Sequence, residues 1–249
     1  MALAAIVFLA GAADPAAAGS CAFEPQGEGR VSGIIDALSF RLQDGREIRI
    51  AGIEPASQRT AAARTLAEIL ADREVSLRGE DDAPDRYGRQ PAFVFLSSSV
   101  GSVQEELLSR GAALVSSTVT DKECASALMA AEAAARRARR GFWAEPSAIK
   151  NTESPGDILA GIGRFTLVEG KVVSVRQAGT TTYLNFGRNW TRDFAATIPR
   201  RALAVFEAAG IPPKSLENRR IRVRGFVEAH GGPQIEVLRV GQIEVLGGN

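Results

Sequence analysis

Two alternating apolar runs joined by Asp44-Gly45 constrain the fold of this chain more than any other feature. Phe40 and Leu42 precede the dipeptide, and Ile48 and Ile50 follow it. Glycine supplies the positive φ that a primed hairpin turn requires, so the spacing predicts a half-buried antiparallel hairpin. Ile48 and Ile50, with Ile53 as a further candidate, face one side and Arg49 the other. The stretch 46–57, R-E-I-R-I-A-G-I-E-P-A-S, then breaks at Glu54-Pro55. An arginine aimed out of a strand beside a carboxylate on the next turn is a place to hold a phosphate.

The pattern around this hairpin is mainly β with some α. A strand-like run begins at Arg30 with Val31, Ile34 and Ile35. A helix is predicted over 58–72, where Ala62, Leu66, Ile69 and Leu70 recur at helical spacing. Strands follow over 74–78 and 91–96, separated by the acidic stretch Glu80, Asp81, Asp82 and Asp85, which reads as a solvated charge run. Two further helices are expected over 103–110 and 122–140, stopped by Gly111 and Gly141.

After Trp143 a cluster of Pro, Ser and Gly predicts a linker over 146–162. The second half is β-rich again, with strands over 165–176, 181–186 and 194–198, a helix over 201–209, and a strand pair over 221–228 and 234–238.

The 249 residues, with 45% hydrophobic and 24% charged, suffice for one large domain or two small ones. A single histidine, His230, leaves a histidine-rich zinc site without its ligands, and a Ser-His-Asp triad would have to use it. It falls in a turn and reads as structural or incidental. Two cysteines, Cys21 and Cys124, are too few for a cysteine-only zinc site or an iron–sulfur cluster.

Residues 1–20 carry an apolar run too short for a bilayer span, which needs roughly 20 apolar residues, but suited to the core of a secretory signal. A basic segment before it is missing, and a buried apolar helix is the alternative. An exported chain, periplasmic or extracellular and without a membrane span after signal removal, permits a Cys21–Cys124 disulfide. Lipidation of Cys21 is the other use of that thiol.

Four blocks carry a family resemblance: I-I-D-A-L-S-F-R-L-Q-D-G-R-E-I-R-I-A-G-I, D-R-Y-G-R-Q-P-A-F-V-F, V-Q-E-E-L-L-S-R-G-A-A-L-V and A-E-A-A-A-R-R-A-R-R-G-F-W. In this order they resemble the thermonuclease, or staphylococcal-nuclease-like, domain over residues 29–143. The resemblance implies a five-stranded OB-fold barrel with helices packed on it, an α+β domain over 21–145. It also implies a calcium-dependent phosphodiesterase acting on DNA and RNA. The family's two arginines, which neutralise charge on the phosphoryl oxygens, fall on Arg49 and Arg89.

The acidic half of that site departs from the family. One calcium ligand falls on Leu38, which cannot coordinate a hard cation. Asp36 and Glu54 are the remaining candidate metal ligands, and with Arg49 and Arg89, Glu54 would carry any residual catalysis. The general base falls on Ser57, or on Ala56 with a one-residue slip, and neither takes a proton at neutral pH. The reading is a thermonuclease-like protein that binds nucleic acid or a related phosphorylated polymer with a degenerate nuclease site. An active Ca²⁺-dependent endonuclease and an envelope protein-interaction module are the alternatives.

V-E-G-K-V-V-S-V, T-Y-L-N-F-G and R-I-R-V-R-G-F-V-E resemble small OB-type nucleic-acid-binding modules, which implies a second barrel over 163–249. That part holds 13 Lys and Arg against 7 Asp and Glu, whereas the part before it holds 17 against 22. The asymmetry points to a polyanion partner such as single-stranded DNA or RNA. Candidate contacts are Tyr87 beside Arg49 and Arg89 in the first half. In the second half they are Tyr183, Arg188, Trp190 and Arg192, where aromatic and basic residues interleave, with Arg222 and Arg224.

Overall fold

The computed structural model describes residues 21, 23–56, 59–80, 83–97 and 101–247. The expected leader, Ser57 and the acids Asp81 and Asp82 lie outside the described residues.

The chain starts with β1 (Glu24–Asp36), β2 (Ser39–Leu42) and β3 (Glu47–Ile50). The expected hairpin is β2–β3, with Gly45 at φ +93° in its turn and Asp44 accepting the Arg46 N–H at 3.0 Å. Alternation places Phe40, Ile48 and Ile50 in the core and leaves Arg49 half-buried on the other face. Next come β4 (Ile53–Pro55), α1 (Arg59–Leu70), β5 (Glu74–Gly79), β6 (Gln90–Leu96), α2 (Val103–Ser109), β7 (Ala113–Val115) and α3 (Lys122–Arg137).

β1 is long enough to serve two neighbours, β5 along its first half and β2 along its second, with register shifts between Val31 and Gly33 and between Ile34 and Asp36. Such bulges bend the strand and let the sheet close as β1-β2-β3-β6-β5. The helices sit on this barrel through Leu66, Leu70, Leu107, Leu108 and Leu128. Ser102 and Glu105 form a reciprocal cap at the start of α2, and Asp121 caps α3 by accepting the Cys124 N–H. One turn into α3, Cys124 is bonded to Cys21, which ties the first described residue to that helix.

The expected linker over 146–162 contains structure. A short 3₁₀ turn (Gly141–Ala144) leads to β8 (Ile149–Asn151) and α4 (Pro155–Leu159). β8 pairs in parallel with β9 (Phe165–Lys171), and Ile158 of α4 is buried in the second core. Elements of three and five residues are too short to leave a period in the sequence.

The second half continues with β10 (Ser174–Ala178), β11 (Thr181–Asn185), β12 (Ala195–Pro199), α5 (Arg200–Ala208), β13 (Arg220–His230), β14 (Gly232–Glu236) and β15 (Ile243–Val245). The predicted strand over 165–176 divides at Val172 and Val173 because the chain changes partner there. Val172 donates to Arg219, beside β13, and Val173 donates to Asn185 on β11.

β9 and β10 are thus one run in two parts, and the sheet is ordered β10-β11-β12-β14-β13-β9-β8, with β15 also paired to β13. Its neighbours β12 and β14 run parallel, as β3 and β6 do in the first barrel. A parallel pair of this kind is thus common to both halves.

The outer faces of β9 and β13 meet the first half. Leu167 of β9 shares an apolar cluster with Ala56, Leu114, Ala135, Trp143 and Ala148. No helix among the described residues is long and apolar enough to cross a membrane.

Candidate functional site

Arg49 and Arg89 come together because β3 and β6 are parallel neighbours. Arg49 lies opposite Ser39 on β2 and opposite Pro91 on β6, two residues past Arg89. Arg89 Nη1 donates to the buried Ser39 Oγ at 3.3 Å, and Ser39 is the residue that pairs with Arg49 across β2 and β3. Arg49 Nη2 also reaches Glu54 Oε2 at 3.5 Å, a long contact across the turn between β3 and β4.

Asp85 orients Arg89. Its Oδ2 accepts from Arg89 Nε at 3.0 Å and from Nη2 at 2.7 Å, while its Oδ1 accepts the backbone N–H groups of Tyr87 and Arg89. The turn is completed by Gly88, whose N–H donates to the Asp85 carbonyl. Burial pushes the Asp85 carboxyl up, but the Arg89 guanidinium and the backbone donors outweigh it and hold the group below the usual carboxylate range. Sequence reasoning placed Asp85 in a solvated charge run. The D-x-x-G-R spacing, an acid in an Asx turn four residues before the arginine, is the signal that identifies it. Glu80 is likewise partnered, by the Thr120 hydroxyl.

Tyr87 is 65% exposed, and its ring lies 5.0 Å from the Arg89 guanidinium carbon and 4.8 Å from that of Arg86. An aromatic face held between two cations at the edge of an arginine pair suits a nucleobase stacked beside its phosphate.

The acids do not assemble a calcium site. Leu38 is 1% exposed and sits in the barrel core. Asp36 spends Oδ1 on the Leu38 N–H at 2.8 Å, and its Oδ2 lies 3.9 Å from Arg89. Glu54 faces Arg49, and its carboxyl is raised by burial, with Arg49 pulling it partway back. No group of three Asp, Glu, His or Cys side chains able to hold a metal occurs among the described residues. Two carboxylates that each face a guanidinium do not match a cation that takes 6–8 oxygen ligands.

Residues 55–145 match the family model described as staphylococcal nuclease homologue. This stretch is similar to staphylococcal nuclease homologues. The match contains Asp85, Tyr87 and Arg89, while Asp36, Arg49 and Glu54 precede it. Asp36 and Arg49 are joined to the matched stretch by the closed barrel, whose strand order crosses the boundary of the match, and Glu54 is joined to it by the pairing of β4 with β7. No curated protein matches the chain.

In the second barrel the predicted residues separate. Tyr183 is half-buried, opposite Arg176 and Thr197 on the outer face of the sheet. Arg188, Trp190 and Arg192 stand together on the loop 187–193, where Trp190 is 73% exposed. That loop is shaped by its own side chains: Asn189 N–H donates to Asp193 Oδ2 at 2.8 Å, and Thr191 Oγ1 donates to Asn189 Oδ1 at 2.6 Å. It also rests against the β13–β14 turn at Gly232, where an added Cβ would come within 2.6 Å of the Asp193 carbonyl. His230 is exposed at this turn and bonds to Glu228.

Arg222 and Arg224 require correction as candidate nucleic-acid contacts. Arg222 lies between Glu169 at 2.8 Å and Glu244 at 2.6 Å. Arg224 is 2% exposed and pairs with Glu132, itself 1% exposed, at 2.9 Å. Arg224 faces the first half of the chain and Arg222 is enclosed by its two carboxylates, so neither is available to a phosphate.

Proposed function

We propose that this protein binds single-stranded nucleic acid, or a chemically similar phosphorylated polymer, and cleaves it poorly if at all. The placement of Arg49 and Arg89 on either side of Ser39, one as its strand partner and one as its hydrogen-bond donor, with the buried Leu38 where the family places an acid, carries this reading. Guanidinium groups supply directional, charge-assisted donors for phosphate oxygens. Glu54 orients Arg49, and Tyr87 offers a base the adjacent aromatic face.

The loop bearing Arg188, Trp190 and Arg192 is a second contact, since an exposed indole on an ordered loop stacks on an unpaired base more readily than on a duplex. We further propose that 21–145 and 163–249 are two barrel domains. Export of the chain also belongs to this reading, supported by the Cys21–Cys124 disulfide, a bond typical of oxidising compartments. A bridged Cys21 leaves no thiol for a lipid.

One observation favours slow phosphodiester cleavage as a second reading. A carboxyl raised by burial beside an arginine, as at Glu54, is better suited to passing a proton than an ordinary surface glutamate. Any such activity would rest on Arg49, Arg89 and Glu54.

The deciding experiment incubates the purified protein with single-stranded DNA and RNA, with and without calcium, and measures binding across a salt series. Binding that weakens steeply with salt and is reduced in Arg49→Ala, without cleavage, supports the first reading. Cleavage lost in Arg49→Ala replaces it with the second. Neither binding nor cleavage would favour a protein partner.

A further inference from the structure

We infer that Arg224, on the second barrel, is a positioning residue for the phosphate site on the first. Glu54 stands on β4, which belongs to neither barrel. Its strand partner is β7, with Ile53 opposite Val115, Glu54 opposite Leu114 and Pro55 opposite Ala113. A two-stranded ribbon this short does not hold itself in place. Its position depends on what grips β7.

The grip is on Val115. Its N–H donates to Glu132 Oε2 at 2.7 Å, and its carbonyl accepts from Arg224 Nη1 at 3.1 Å. The same two side chains close on each other, with Arg224 Nη1 at 3.0 Å from Glu132 Oε2 and Nη2 at 2.9 Å from Oε1. One guanidinium and one carboxylate thereby satisfy both backbone groups of a single residue, in a place that water does not reach.

Just past the other end of β4, Ala56 lies in the apolar cluster that contains Leu167 of β9. The second barrel thus touches the ribbon at both ends. Glu54 lies between those two points, 3.5 Å from Arg49. A ribbon that slides or lifts carries Glu54 away from Arg49, and the guanidinium loses its orientation. The functional part of this inference rests on the phosphate-site reading proposed above, whereas the mechanical part does not.

The test compares full-length wild type with Arg224→Lys and with the double variant Arg224→Met, Glu132→Leu, in which neither charge is left unpaired. Native-state hydrogen exchange is followed at Ala56 and Ser116, whose N–H groups bond to the carbonyls of Ala112 and Gly52 across the ribbon. Both amides should exchange roughly tenfold faster in the double variant, while those of the β5–β6 pair keep their wild-type rates. Arg224→Lys, which keeps a charge but presents it as a point rather than a fork, should be intermediate. Unchanged exchange at the ribbon, or equal acceleration everywhere, overturns the inference.

The second measurement is the affinity for a short 5′-phosphorylated single-stranded DNA, expected to fall roughly tenfold in the double variant. This loss should disappear when Glu54→Ala is already present. A loss of the same size in that background shows that Arg224 does not act through Glu54 and also overturns the inference. Wild-type protein that fails to bind the DNA defeats the proposed function alone, and the exchange rates then decide the positioning role.

Discussion

The Arg49 guanidinium approaches Glu54 to 3.5 Å, yet burial still raises the carboxyl of Glu54 above its ordinary value. The ion pair does not repay the lost hydration. A folded-state pKa raised above the unfolded one means that the folded protein holds this proton more tightly. The associated penalty is absent below the unfolded glutamate pKa, grows as pH rises through the folded value, and is complete above it. Glu54→Gln should therefore have a higher Tm than wild type at pH 8 and an equal Tm at pH 4, by calorimetry. An equal Tm at both would show that Glu54 is adequately solvated.

Arg49→Ala and Arg89→Ala should each weaken binding to single-stranded DNA by about 1–3 kcal/mol and reduce the slope of log affinity against log salt by roughly 1. Fluorescence anisotropy at several salt concentrations measures both. Trp190→Ala should weaken binding by about 1–3 kcal/mol and leave the salt slope unchanged, since stacking releases no counterion. A changed slope for Trp190→Ala would mean that the loop meets phosphate rather than base.

Arg224→Met alone should destabilise the protein by about 3–5 kcal/mol, because it strands the Glu132 carboxylate in the interior. Adding Glu132→Leu should restore only part of that loss, since it removes the stranded charge but leaves the buried N–H and carbonyl of Val115 without partners. Urea unfolding of the three proteins gives the comparison, provided each unfolds in a single transition. A single and a double variant of equal stability would mean that water reaches the carboxylate.

Removing the bond between Cys21 and Cys124 should cost about 2–5 kcal/mol, as expected for a long closed loop, here spanning 103 residues. The matched pair is wild type and Cys21→Ser with Cys124→Ser, compared by denaturant midpoint.

Leu38→Asp with Ser57→Glu would replace the two residues that most separate this site from the family's chemistry. Leu38 is a core side chain, so a carboxylate there should lower stability by about 3–5 kcal/mol before any calcium is bound. The expected outcome is a loosened barrel, seen by circular dichroism, rather than a restored enzyme. Calcium-dependent cleavage by a folded double variant would show that the site relaxes to accept the ion.

What the sequence revealed and what it concealed follow from the range of each interaction. The β2–β3 hairpin was legible because Asp44-Gly45 and the alternation of Ile48, Arg49 and Ile50 lie within one short stretch. Leu38 was legible as a non-ligand from its chemistry alone. Arg222 and Arg224 were not read correctly, because alternation shows that they share a face of β13 but not what covers it. What covers Arg224 is Glu132, 92 residues earlier on an alanine-rich helix whose pattern gives no sign of a buried acid. β4 and β7 escaped notice because three residues cannot display a period. Asp85 was visible but was read as charge rather than as turn chemistry.

Both halves pair strands that are not neighbours in the chain, β3 with β6 and β12 with β14. During synthesis β3 is therefore complete while α1 and β5 are still being added, and until β6 arrives its outer edge presents unpaired N–H and C=O groups. The same exposure recurs at β12 until β14 is made. Such open edges are where a growing chain can pair with a stranger. The nascent protein thus passes twice through a stage at which it is prone to associate with other chains, and in the folded protein each of these two edges has its partner.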